Sequence, residues 1–351
     1  VEFKPNLEES IQRMKRLWNL DLPLDRVPAS VHLPSPPGRI ADGSFFGRLD
    51  DYIRFQEMAL GQQAQVHDDR FPVVFPQYGH ALIAALCGSP IRGESETVWA
   101  VPTIDDIGAA ADTLHLDWDN EWGSRYREDL ARLLNWAENR CAVAIYEVEG
   151  VSDTLSALRG PQTLMYDLYD SPGAIDRLAK RITDLLIEFA HWNQREVRSQ
   201  QDWYEGMVTD WALWMPSGSI CFAEDATVMM SPELYRTAIM KWDRYLTQAF
   251  NRTHLEVHTE GNHQIENFGA VEGVSCMTIQ NPLRMRPEHR EIMRTLLGKK
   301  VFYISVASDQ IDELLSFTGT RGIYLSTSAG TAREAHAVLE TIERLTQRYC
   351  R

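Results

Sequence analysis

The chain is poor in the residues that staple small scaffolds. Its 351 residues hold five cysteines, Cys87, Cys141, Cys221, Cys276 and Cys350, odd in number, far apart and without a C-x-x-C pair. This argues against a disulfide framework and against a thiolate zinc knuckle, and reduced thiols in a reducing compartment are the plain expectation. A run of Lys and Arg is also missing: 35 basic residues face 50 acidic ones, for a net charge of −15. An acidic surface disfavours nucleic acid and anionic membrane as partners, because both are polyanions. The longest apolar stretch, near residues 81–87, falls well short of the roughly 20 residues that span a bilayer. The opening residues, VEFK, lack the apolar core of a signal peptide, so a cytoplasmic location is expected. There is no internal repeat. No G-x-G-x-x-G follows a strand-like run, which weakens a dinucleotide-binding reading, and neither a hydrolase nucleophile elbow nor a phosphate-cradling lysine loop is present.

What the chain does have is a hydrophobic fraction of 44% with 10 Trp, 12 Tyr and 12 Phe, the composition of a globular protein able to bury a sizeable core. Residues 27–43, with four prolines and two glycines, read as an irregular N-terminal arm. After them, short apolar runs alternate with helical ones. Strands are expected at 71–75 (FPVVF), 141–148 (CAVAIYEV), 219–224 (SICFAE), 255–259, 276–279, 301–306 (VFYISV) and 322–326 (GIYLS). Short and apolar throughout, they suit strands buried on both faces. Helices follow from recognisable starts: the run at 80–86, Ser171-Pro172, Ser231-Pro232, and the capping box Thr331 to Glu334 ahead of the stripe Ala335, Val338, Leu339, Ile342, Leu345. Alternation over this length implies a parallel sheet, either a closed barrel or an open doubly wound sheet.

The most informative segment is HLEVHTEGNH, residues 254–263. In a strand, side chains alternate, so His254, Glu256, His258 and Glu260 share one face and Leu255, Val257 and Thr259 the other. Four ionisable groups on an inner face must be paired, hydrated or bound to metal. Imidazole plus carboxylate suits Zn²⁺ or another divalent ion, with a metal-free His/Glu network as the alternative. Glu147 and Glu149 end another strand at i and i+2, and Glu224-Asp225 end a third. Carboxylates converging on one mouth can act as general acid and base, although singly each suits a loop acid or a helix cap. Trp203, Tyr204, Trp211 and Trp214 could wall an apolar pocket or simply pack. Gln77 to His80 could present a polar group, and the loop from Ser326 to Thr331 offers backbone N–H groups to an anion.

These pieces resemble the uroporphyrinogen decarboxylase superfamily. Residues 224–235, EDATVMMSPELY, are similar to that group's segment ending in S-P-E-L. His258-Thr-Glu260-Gly261 stands where relatives carry H-x-C-G, and Leu158-Arg-Gly-Pro with Asp167-Leu-Tyr-Asp-Ser-Pro resembles an upstream stretch. The similarity is best over residues 147–331. It implies one (β/α)8 TIM barrel with an irregular N-terminal extension, residues 1–351 as a single domain with 1–60 packed on the barrel, and a site at the C-terminal mouth. It also implies porphyrinogen decarboxylases or zinc-dependent methyltransferases working with corrinoid proteins as functional kin, and a homodimer as the assembly. This chain departs in carrying Glu260 in place of the first ligand cysteine, no cysteine in the last loop, and no R-Q-A-G-R stretch, with Arg39 alone in residues 36–43. Thiolate-zinc activation of a thiol and uroporphyrinogen as substrate are therefore not expected. The leading expectation is methyl transfer from a small carboxylated or aromatic compound, with His258, Glu260 and Glu224 catalytic and His258 and Glu260 as metal ligands. Glu147, Glu149, Trp211, Trp214, Gln280 and Ser326 are the residues expected to contact the substrate, and a corrinoid protein is the candidate partner. The alternatives are a decarboxylase or other lyase using the same His and Glu, and a non-catalytic barrel that binds a small ligand.

Overall fold

The computed structural model describes residues 1–23, 25–36, 45–94, 97–198, 204–256 and 258–350. Nine parallel strands frame the fold: β1 (Ala29–His32), β2 (Val73–Val74), β3 (Ala142–Val143), β4 (Val148–Glu149), β5 (Ile220–Ala223), β6 (Thr253–Glu256), β7 (Val274–Gln280), β8 (Val301–Ser305) and β9 (Ile323–Ser328). Seven form one sheet in the order β1-β9-β8-β7-β6-β5-β4. β2 pairs with β3 apart from it, and a bridge from Ile145 to Thr209 continues that smaller group. The fold is α/β and barrel-like. Among the described residues the ladder does not run unbroken around a closed ring.

Period-2 alternation sorts the side chains into two cores. Along β8, Phe302 and Ile304 pack toward the helices while Val301 and Tyr303 point inward. Along β9, Ile323 and Leu325 face the helices and Tyr324 the interior, where its ring stacks on Tyr303 with centroids 5.0 Å apart. The inner core also takes in α1 (Leu7–Trp18): its Ile11, Met14, Leu17 and Trp18 meet Phe71, Ala142 and Val301 at the starts of strands. Trp18 donates its indole N–H to the Trp214 carbonyl at 2.7 Å. The far end of the strand bundle is thus sealed by a helix, and the C-terminal end is left for chemistry.

The helices begin as their sequences dictate. The Ser231 hydroxyl accepts from Leu234 N before α4 (Pro232–Ala238). Thr331 accepts from Glu334 N, and Glu334 reaches back to Gly330 N, before α5 (Ala332–Tyr349); four of the five stripe residues of α5 are buried. Two other helices matter below: α2 (Val151–Arg159) and α3 (Pro172–Arg198). No helix among the described residues is long and apolar enough to cross a membrane.

Three expectations change. Part of the stretch read as irregular, Ala29–His32, is an edge strand paired with β9, its Pro28 carbonyl accepting from Leu325 N; proline tolerates the start of an edge strand because its missing N–H is not needed there. Residues 37–43 of that stretch, Arg39 among them, lie outside the described residues. The run at 141–148 is not one strand but β3 and β4 with a break between them. The run at 255–259 begins and ends earlier, as β6, and the chain then turns into a 3-10 helix at Thr259–Gln264. Val257 lies outside the described residues.

Candidate active site

The strand ends enclose a polar cavity of about 400 Å³. Its wall is contributed by β1 (His32), β8 (Tyr303), β9 (Ser326), the end of β6 (Glu256, then His258), the break before β4 (Glu147), and the turn after Val208 (Asp210, Trp211). A neighbouring hollow of about 300 Å³ runs between Phe75, Val98 and Tyr146 and shares His80, Glu147 and Asp210 with the first.

β6 behaves as its alternation predicts at its two inner positions. Leu255 packs toward the helices, while His254 sits deep, its Nδ1 3.2 Å from the Cys221 sulfur and its Nε2 2.7 Å from the Thr278 hydroxyl. Burial pushes this imidazole down to about 3, so it is neutral and supports the floor. Glu256 ends the strand above it. Burial, then the charges of Asp225, Asp153 and Asp210, raise its carboxyl to about 8. His258 lies beyond the strand, with Nε2 3.4 Å from Asp225 Oδ2 and 3.8 Å from Glu256 Oε2. Glu256 Oε1 and Asp225 Oδ1 are buried without a hydrogen-bond partner. Asp225, Glu256 and His258 each offer a donor atom within 4.8 Å of the other two. Glu260, two residues further on, is exposed and outside this group.

Glu147 and Asp210 form a second acidic pair. Their carboxyls share a hydrogen bond; burial, then the charges of Asp210 and Glu256, raise Glu147 well above the usual carboxylate range, and burial raises Asp210. Two carboxyls so placed hold a proton between them, since both cannot ionise in a desolvated site. Glu147 Oε1 also takes the Cys221 thiol at 3.2 Å and the Trp211 indole N–H at 3.4 Å. Trp211 therefore walls the cavity, with its ring 5.7 Å from that of Tyr303.

Other expected residues serve elsewhere. Glu149 does not line the cavity with Glu147; its carboxyl is fully buried near the backbone of Leu82 and Ile83. Glu224 turns toward the N-terminus of α2, accepting from Val151 N at 2.6 Å and from Ser152 N and its hydroxyl. That is the favourable place for a carboxylate against a helix dipole. Trp214 is core, its indole bonded to the Tyr204 carbonyl at 2.7 Å. Gln280 closes β7 in register with Ser305 and does not line the cavity. Trp203 lies outside the described residues. Ser326 does line the cavity, its hydroxyl 3.1 Å from His32 Nε2.

The sequence reading passed over Asp210, Arg70 and His32. Asp210 follows a strand of only two residues, Met207–Val208, too short to register as periodicity, and it stands beside a tryptophan that draws the eye. Arg70 follows Asp68 and Asp69 and looks like one more member of a solvated charge cluster.

No protein-family model matches the sequence, and no curated protein does. Among solved structures, a methyltransferase from Methanosarcina mazei superposes with a TM-score of 0.64 at 14% identity, over 95% of this chain and 98% of that one. At that identity the likeness is one of fold: this chain shares the α/β architecture of that methyltransferase nearly end to end.

Proposed function

We propose that the cavity is the active site of a methyl-transferring enzyme acting on a small carboxylated or aromatic compound, assisted by a divalent cation. The observation that carries this reading is the convergence of Asp225, Glu256 and His258, with two buried carboxylate oxygens lacking any partner. One imidazole and two carboxylates fit a borderline ion such as Zn²⁺, Mn²⁺ or Fe²⁺. Bound there, such an ion supplies Lewis acidity toward a substrate heteroatom. The methyltransferase fold lends the reading support as an analogy.

The chain's own groups do the rest. When a methyl–heteroatom bond breaks heterolytically, the electron pair stays on the heteroatom, which then needs a proton. Glu147 and Asp210 face the same cavity, their carboxyls raised above the usual carboxylate range, and this pair is the proton source we propose. Trp211 and Tyr303 offer flat apolar walls. The methyl carbon leaves to a nucleophile outside this chain, and a corrinoid protein is the acceptor we propose.

Metal analysis of protein purified without chelator or nickel tests the reading. About one ion per chain is expected, lost in His258→Ala and in Glu256→Gln and kept in Glu260→Gln. An absence of metal after incubation with Zn²⁺, Mn²⁺ and Fe²⁺ would sink the metal-assisted reading. It would favour a lyase in which the Glu147–Asp210 pair protonates a carbanion after decarboxylation, or a barrel that only binds its ligand.

A further inference from the structure

The cavity is acidic on one side and, among the described residues, carries a single Arg or Lys on the other. Arg70 lines it together with His32, Tyr303 and Ser326. Its guanidinium makes no ion pair within 4.0 Å among the described residues, and its Nε is buried without a hydrogen-bond partner. The two acids just before it are already engaged: Asp69 pairs with Arg13 and Arg26, and the oxygens of Asp68 accept from Val31 N at 2.8 Å and from Arg70's own backbone N and Gln63 Nε2, each at 3.2 Å. A half-buried arginine with an unused donor, opening on a cavity of this size, is otherwise costly to keep.

We infer that Arg70 is the anchor for a carboxylate of the substrate, with the Ser326 and Tyr303 side chains flanking it, so that the substrate is a monocarboxylate with its reactive end toward Glu147 and Glu256. The inference rests on the cavity being the substrate site, as proposed above. The fork of a guanidinium matches a carboxylate with two parallel hydrogen bonds. At this end of the cavity the charge is Arg70's alone: His32 beside it is held neutral by burial, its imidazole pushed down to about 4, and its Nε2 lies 2.9 Å from the Ser30 hydroxyl and 3.1 Å from that of Ser326, while His80 and His258 act on the acids Asp210 and Asp225. A phosphate dianion would need a second cation and would face Glu256 and Asp210 across the cavity. Trp211 and Tyr303, packed edge to face with ring centroids 5.7 Å apart, form one apolar wall beside the carboxylate.

The test is calorimetric titration of the whole chain with benzoate, with benzamide of the same shape but no charge, and with inorganic phosphate. Benzoate is expected to bind, with benzamide weaker by roughly ten-fold or more, as loss of a charge-assisted pair implies, and phosphate weaker still. Arg70→Gln should lose roughly ten- to hundred-fold in benzoate affinity, and Arg70→Lys, which keeps the charge but not the fork, less. Both variants should keep the parent's unfolding midpoint and metal content, so that a folding defect is told apart from a lost anchor. Equal binding of benzoate and benzamide, preference for phosphate, no benzoate binding, or unchanged affinity in Arg70→Gln overturns the inference. Metal-free parent protein that still binds benzoate through Arg70 overturns the metal-assisted reading alone, and a metal-loaded parent indifferent to Arg70 overturns the anchor alone.

Discussion

Glu149 shows how a single carboxyl can set a pH response. It is fully buried, neither oxygen has a hydrogen-bond partner, and burial followed by the charge of Asp153 raises it to about 8. Its folded-state value lies above the unfolded one, so the protonated carboxyl stabilises the fold at low pH and that contribution is lost as pH rises through 8. Glu149→Gln is therefore expected to raise the unfolding midpoint in urea at pH 8.5, by an amount equivalent to roughly 1–3 kcal/mol, and to change it little at pH 5. A pH-independent difference between the two proteins contradicts this. The cysteines give a second residue-scale expectation. Cys350 is exposed and Cys87 half-buried, while burial pushes the thiols of Cys221 and Cys276 up. Native protein should show one thiol per chain reacting quickly with a disulfide reagent, abolished by Cys350→Ser. At this scale the sequence was legible where the period was unbroken. Alternation placed His254 and Glu256 inward correctly, but it failed at Glu260, where the backbone has left the extended conformation for a 3-10 turn, and at Glu149, which does not reach the cavity.

The elements hold the site through close backbone approaches and caps. Gly150 sits where β4 runs into α2, and a Cβ there would lie 2.0 Å from the Ala223 carbonyl oxygen and 2.2 Å from Glu224 Oε1. Gly150→Ala must push β4 off β5, and overpacking of this kind costs typically about 1–3 kcal/mol; a chemical melt should show that loss. Thr331 caps α5, and Thr331→Ala should cost about 1 kcal/mol, measured against the exposed control Glu343→Ala. These helix starts could be read in advance because capping is a local code of a few side chains. Strand lengths could not, because a two-residue strand such as β2 or β3 exists only through its partner. β1 was hidden by the prolines around it, although Ala29, Val31 and their neighbours are as buried as any central strand.

For the whole molecule, the parallel sheet followed from alternating apolar runs and the expectation of a site at its C-terminal mouth from the barrel resemblance, while the sealing of the opposite end by α1 followed from neither. Trp18 spans that seal, 4% exposed and bonded to the Trp214 carbonyl. Trp18→Ala should cost about 3–5 kcal/mol, and since α1 shares a core with β3, β8 and β9, we propose that the chain unfolds as one unit: near- and far-ultraviolet circular dichroism should trace the same transition. Separate transitions would divide the domain.

That seal also governs traffic. With α1 and the stacked tyrosines stopping one end, the cavity is closed at its floor among the described residues, and whatever enters leaves on the side of the strand ends. On the reading proposed above, an acceptor protein settled over the opening would shut the small molecule in, and the order of events would be compulsory: the small reactant loaded first, the acceptor docked second, and the spent product held until the acceptor departs.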